Sequence, residues 1–118
     1  MSTEFNMKDN KLIAEFMGVK KIDHGWIAIE GRAYAYNAKI YPNSLQYHKS
    51  WTWLMPVVEK IESLKHPVSI IELTCEISNT INDPYNKDPI YIDEPAMTKI
   101  ETVYEAVVEF INWYNINR

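Results

Sequence analysis

The 118-residue chain has one cysteine, Cys75, only three glycines, and no apolar run that could span a membrane, which takes roughly 18 consecutive residues. A single cysteine excludes an internal disulfide and a cysteine-based zinc site. The opening stretch, MSTEFNMKDNKLIAEF, lacks the basic start and apolar core of a secretory leader, so a cytoplasmic location is expected. Also missing are the GxSxG serine elbow, the phosphate-binding P-loop, the HExxH zinc pair and the dinucleotide glycine pattern. No cofactor is expected.

What is present is enough for one folded domain over residues 1–118. Hydrophobic residues make up 47% of the chain, sufficient to offset the entropy of ordering it. Charge is divided unevenly. Residues 1–65 carry nine basic and seven acidic side chains, and residues 66–118 carry three and nine. The acidic second half repels phosphate, and no basic cluster exceeds the pair Lys20–Lys21, which argues against nucleic acid as a partner.

Hydrophobic spacing predicts the order α-β-β-α-β-(β)-α, an α+β fold in which three helices pack on a small antiparallel sheet of three to four strands. Residues 1–8 read as a frayed tail. Asp9 or Asn10 then caps a short helix with Leu12, Ile13, Phe16 and Met17 on one side, and Gly18 ends it. Two strand-like runs, 25–30 and 33–38, flank Gly31-Arg32 and predict a tight hairpin. A second helix is expected from about Ser50 to Leu64, with Trp51, Leu54, Met55, Val58, Ile61 and Leu64 inward and a bend at Pro56.

Residues 67–78 alternate apolar and polar side chains and predict one half-buried strand, with Cys75 on the apolar phase as an inert thiol. Residues 79–97 form a long proline-rich loop in which Ile90-Tyr91-Ile92 adds a short edge strand. A capping box, Thr98-Lys99-Ile100-Glu101, opens the last helix. Its stripe is Ile100, Val103, Tyr104, Val107, Phe110, Ile111 and Tyr114.

The chemistry worth weighing sits at Tyr47, His48, Trp51 and Trp53, where aromatic and titratable groups gather at a loop-to-helix junction. One reading is a ligand- or partner-binding surface: a ring face stacks on the ligand and His48 offers a switchable donor or acceptor. The plain alternative is packing, with Trp51 in the core stripe and Trp53 over the loop. Trp53 decides between them because it lies off the predicted stripe.

Glu101, Glu105 and Glu109 stand four apart on the last helix, where a solvated acidic face is the plain reading. No histidine shares that helix, and Asp83-x-x-Asn86-x-Asp88 lacks the glycine and closing glutamate of a calcium loop. No metal site is expected. His24 and His66 read as isolated turn histidines. Trp113, off the main stripe of the last helix, is a candidate for a homodimer contact.

Three stretches, Lys11–Gly18 (KLIAEFMG), Tyr47–Glu62 (YHKSWTWLMPVVEKIE) and Thr98–Asn115 (TKIETVYEAVVEFINWYN), together resemble a family of short uncharacterised proteins of bacterial and phage genomes. They cover a little over a third of the chain, and the group Trp51, Trp53 and Pro56 is the most specific part. The resemblance implies a genomic setting and no catalytic residue set. The functional expectation is therefore a non-enzymatic accessory protein that binds a small ligand or a host protein through Tyr47, His48, Trp51 and Trp53. The rival is a small hydrolase or nucleotide-processing enzyme using His48 with a carboxylate from another element.

Overall fold

A computed structural model of the chain describes residues 3–22, 25–28, 39–40, 45–78, 90–93 and 97–117. Within them lie helices α1 (Thr3–Phe16), α2 (Trp51–Ser63) and α3 (Lys99–Asn117). The strands are β1 (Val19–Ile22), β2 (Gly25–Ala28), β3 (Lys39–Ile40), β4 (Val68–Ile71), β5 (Thr74–Ile77) and β6 (Ile90–Asp93). The fold is α+β with antiparallel strands, as the spacing predicts. The strands form two three-stranded sheets, β1-β2-β3 and β4-β5-β6.

Helix α1 begins well before its expected start. Asp9 and Asn10 lie inside it, and both are buried, so neither acts as a cap. The end is as expected. Gly18 takes a φ of +84°, and its N–H donates to the Glu15 carbonyl. Lys60 from α2 donates to the Phe16 carbonyl and lies 4.7 Å from the centre of the Phe16 ring. A cation at the carbonyl end of a helix offsets its exposed dipole.

The first sheet pairs β1 with β2 in the register Val19↔Ala28 to Ile22↔Gly25, and β2 with β3 through Trp26↔Ile40 and Ile27↔Lys39. Strand β1 has too little alternation to be legible beforehand. The expected partner run 33–38 and its Gly31-Arg32 turn lie outside the described residues, as do residues 79–89 of the proline-rich loop.

The predicted single strand over 67–78 is a hairpin. Glu72 and Leu73 reverse the chain between Ile71 and Thr74, which pair directly, and Glu72 accepts a φ of +51° to do so. Only the second arm keeps the expected phase: Cys75 and Ile77 are buried, while Ile71 and Leu73 are exposed. Strand β6 pairs with β5 in the register Thr74↔Asp93 to Ile77↔Ile90. Its Ile90 and Ile92 join Cys75 and Ile77 on the inner face.

That face packs against α3, the central element, which also touches α1 and α2. Contact on several sides widens its buried surface beyond the predicted stripe. Thr102, Ala106 and Val108 are buried alongside Val103, Tyr104, Val107, Phe110 and Ile111. Each buried Val, Ile or Phe contributes about 1.5–3 kcal/mol. The capping box forms as expected: the Thr98 N–H donates to Glu101 Oε1 (2.8 Å), and the Glu101 N–H donates to Thr98 Oγ (3.3 Å).

Helix α2 runs unbroken through Pro56. The carbonyl deprived of its donor belongs to Thr52, an exposed residue, so water can serve it. The inward face differs from the expected one. Leu54, Val57, Val58 and Ile61 are buried, whereas Trp51 and Met55 are 38% and 37% exposed. At its end, Lys65 adopts a φ of +72°. The Lys65 and His66 N–H groups close back on the Glu62 and Ile61 carbonyls, a Schellman arrangement built on lysine rather than glycine.

Candidate functional site

Residues 45–50 form the turn that feeds α2. The Lys49 and Ser50 N–H groups both donate to the Gln46 carbonyl, and the Ser50 carbonyl accepts the first helical bonds from Trp53 and Leu54. Ser50 holds the extended backbone of an N-cap, though its hydroxyl makes no capping bond. This short path places the four candidate residues in different environments.

Tyr47 points inward and is fully buried. Trp53 is half-buried against the core and meets the Tyr47 ring edge-on, with centroids 5.2 Å apart and planes at 88°. Such a pair contributes about 0.5–1.5 kcal/mol beyond its buried area. Trp51 faces outward. The expected roles of the two tryptophans are thus exchanged: Trp53 packs on the core and Trp51 is displayed. The reason is that α2 turns Val57 inward, and Trp53 lies one turn before Val57 on the same face.

His48 is half-buried and held by a polar cluster centred on Asn10 of α1. The Asn10 amide nitrogen donates to the Leu45 carbonyl (3.2 Å) and lies 2.9 Å from His48 Nδ1. The Tyr104 hydroxyl of α3 donates to Asn10 Oδ1 (3.0 Å). A carbonyl can only accept, so the Leu45 bond fixes which end of the Asn10 amide is nitrogen. His48 Nδ1 must then accept, and the imidazole is neutral with its proton on Nε2. Burial lowers the His48 pKa from its ordinary 6.5, and neighbouring Lys49 lowers it further. The edge of the His48 ring also meets the Tyr104 ring at 6.3 Å.

Burial raises the pKa of the Tyr104 hydroxyl above its ordinary value, and the charges of Asp9 and Glu105 add to the effect. Burial likewise raises Asp9, partly opposed by Lys8. Among the described residues His48 hydrogen-bonds an amide and not a carboxylate. The amide fixes the orientation of the ring and leaves Nε2–H as the imidazole's outward-facing donor.

A second histidine does more than its sequence context foretells. His66 is buried, donates from Nδ1 to the Ser78 carbonyl (2.7 Å), and stacks edge-on against Phe110 (4.9 Å) and Trp113 (5.6 Å). Trp113 is thereby half-buried on the core, which removes much of the surface it would bring to a homodimer contact. His24 lies outside the described residues.

On α3, Glu101 is occupied by the capping box, which holds its pKa below the ordinary 4.5, and Glu109 is exposed. No group of three His, Cys, Asp or Glu able to hold a metal occurs among the described residues, and no described helix is long and apolar enough to cross a membrane. A cleft of about 250 Å³ opens between Glu15, Phe16, Lys60, Leu64, Tyr114 and Asn115, where Lys60 is already engaged with Phe16. Compared with protein-family models, curated proteins and solved structures, the chain matches none.

Proposed function

We propose that the protein is a non-enzymatic binding protein whose contact surface is the lead-in to α2, anchored by Trp51 with Met55, His48 and Trp53 around it. The observation that carries this reading is the exposure of Trp51, 38% accessible on the first turn of a helix whose other large apolar residues are mostly buried. Met55 lies one turn further along the same face and is also exposed. Tryptophan is the residue type most enriched at binding hot spots. The Nε2–H of His48 remains to orient a partner, since Nδ1 is engaged by Asn10.

A convex helix face suits a protein partner better than a small molecule, which binds in a concavity that encloses most of its surface. An accessory role toward a host protein, in a bacterial or phage setting, is part of the same proposal. The enzymatic alternative has less support, because His48 is paired with an amide.

The test compares wild type with Trp51→Ala by thermal shift and native mass spectrometry, against nucleotides and fractionated bacterial lysate. A partner stabilises the wild type by mass action. Loss of a tryptophan hot spot weakens that complex by at least about tenfold while the free protein melts as before. A complex that forms equally well with Trp51→Ala overturns the proposal.

A further inference from the structure

We propose that Asn10 and His48 form an acid-released latch that holds the His48 ring of the 45–50 turn against α1. The Asn10 amide is committed at both ends, its nitrogen to the Leu45 carbonyl and its oxygen to the Tyr104 hydroxyl. It cannot rotate to present oxygen to His48 without losing both bonds. The contact at 2.9 Å therefore exists only while Nδ1 carries a lone pair. A proton on Nδ1 sets two donors against each other at hydrogen-bond distance, and the half-buried ring is free to turn toward water. Leu45, Asn10 and Tyr104 stay joined, so release is local to the turn and leaves the fold intact.

The charged surroundings single out the same residue. From its own turn, Lys49 acts on the imidazole and opposes a second positive charge. From α1 and α3, Asp9 and Glu105 act on the Tyr104 hydroxyl, which keeps its proton throughout the neutral and acidic range. Tyr47, adjacent to His48 and packed edge-on against Trp53, carries the change into the aromatic pair. The latch needs no ligand and stands independently of the binding reading.

The test is a proton and nitrogen NMR titration of the full chain without ligand, from about pH 7.5 to about pH 5, the range in which histidine changes charge. The Trp53 indole N–H and the His48 ring proton are expected to move together with one midpoint below 6.5. His48→Gln abolishes the Trp53 transition, and Asp9→Asn leaves it in place. An indole signal that stays constant while His48 titrates overturns the latch. So does a transition that survives His48→Gln or vanishes in Asp9→Asn. The wild-type comparison is decisive even if one variant folds poorly.

Discussion

His66 Nδ1 donates to the Ser78 carbonyl across 2.7 Å, joining the end of α2 to the end of β5 beneath the rings of Phe110 and Trp113. His66 is buried and the bond partly so, and truncating the side chain removes both a donor and a packed ring. His66→Ala is expected to lower stability by about 3 kcal/mol. His66→Phe keeps a ring in place and is expected to cost about 1–2 kcal/mol. Urea denaturation at constant pH measures both. Equal losses in the two variants would mean that the donated proton, not the packing, is what matters.

Asn10 serves three partners from inside α1. Asn10→Ala leaves the Leu45 carbonyl and the buried Tyr104 hydroxyl without this partner, at an expected cost of about 3 kcal/mol. Tyr104→Phe removes only the donation to Oδ1 and is expected to cost about 1 kcal/mol. Their double variant should cost less than the sum, because both act on one network. Additive losses would contradict the geometry.

Two helix ends share one backbone conformation but use different residues. Gly18, at φ +84°, has nothing within 4 Å of where a Cβ would stand, so Gly18→Ala meets backbone strain and no collision. Strain of about 1–2 kcal/mol, less the entropy gained, gives an expected loss of about 0.5–1 kcal/mol. Lys65, at φ +72°, already bears that strain. Lys65→Gly is expected to stabilise the protein by about 0.5 kcal/mol. Thermal midpoints of opposite sign for the two variants check the pair.

Asp9 is buried with its pKa raised above the ordinary 3.8. At neutral pH the folded state holds a charge it would rather lose, so Asp9→Asn should raise the thermal midpoint. As pH falls from the raised folded value to 3.8, the folded state takes up a proton before the unfolded state does, and wild-type stability gains. The advantage of Asp9→Asn therefore shrinks on acidification and is gone below that window. A benefit independent of pH would place its origin elsewhere.

Cys75 is fully enclosed between the second sheet and α3, and burial pushes its thiol pKa up to about 12. Thiol reagents near neutral pH should leave the native protein unlabelled, since the thiolate is the reactive form. Labelling on addition of urea should track unfolding of the β4–β5 hairpin and α3. Rapid native labelling would contradict the burial.

The parts of this fold legible beforehand were those with a local physical cause. Thr98 and Glu101 sit three apart and cap their helix, Gly18 supplies a left-handed end, and Ile90 to Ile92 alternate as a strand must. The parts that were not legible depend on partners distant in the chain. Residues 67–78 alternate without a break, and nothing local marks Glu72-Leu73 as a turn, since glutamate rarely accepts a positive φ. Either face of α2 carries apolar side chains, so only contact with α3 and β4 decides that Val57 rather than Met55 goes in.

The candidate site followed the same rule. Its cluster of aromatic residues is visible by inspection, but the exchange of roles between Trp51 and Trp53 is not. Asn10 was missed because it read as a cap. Its position one residue from Asp9, facing Leu45, His48 and Tyr104, emerges only when α1 extends back to Thr3.

The hydroxyl of Tyr104 reaches an amide 94 positions earlier in a chain of 118. During synthesis that side of α1 is therefore satisfied only after α3 has emerged. Until then, Ile13 and Ala14 lack the α3 side of the core they belong to. The order of production thus leaves α1 incompletely covered while the segments between it and α3 are made, an interval in which a chaperone is expected to engage it.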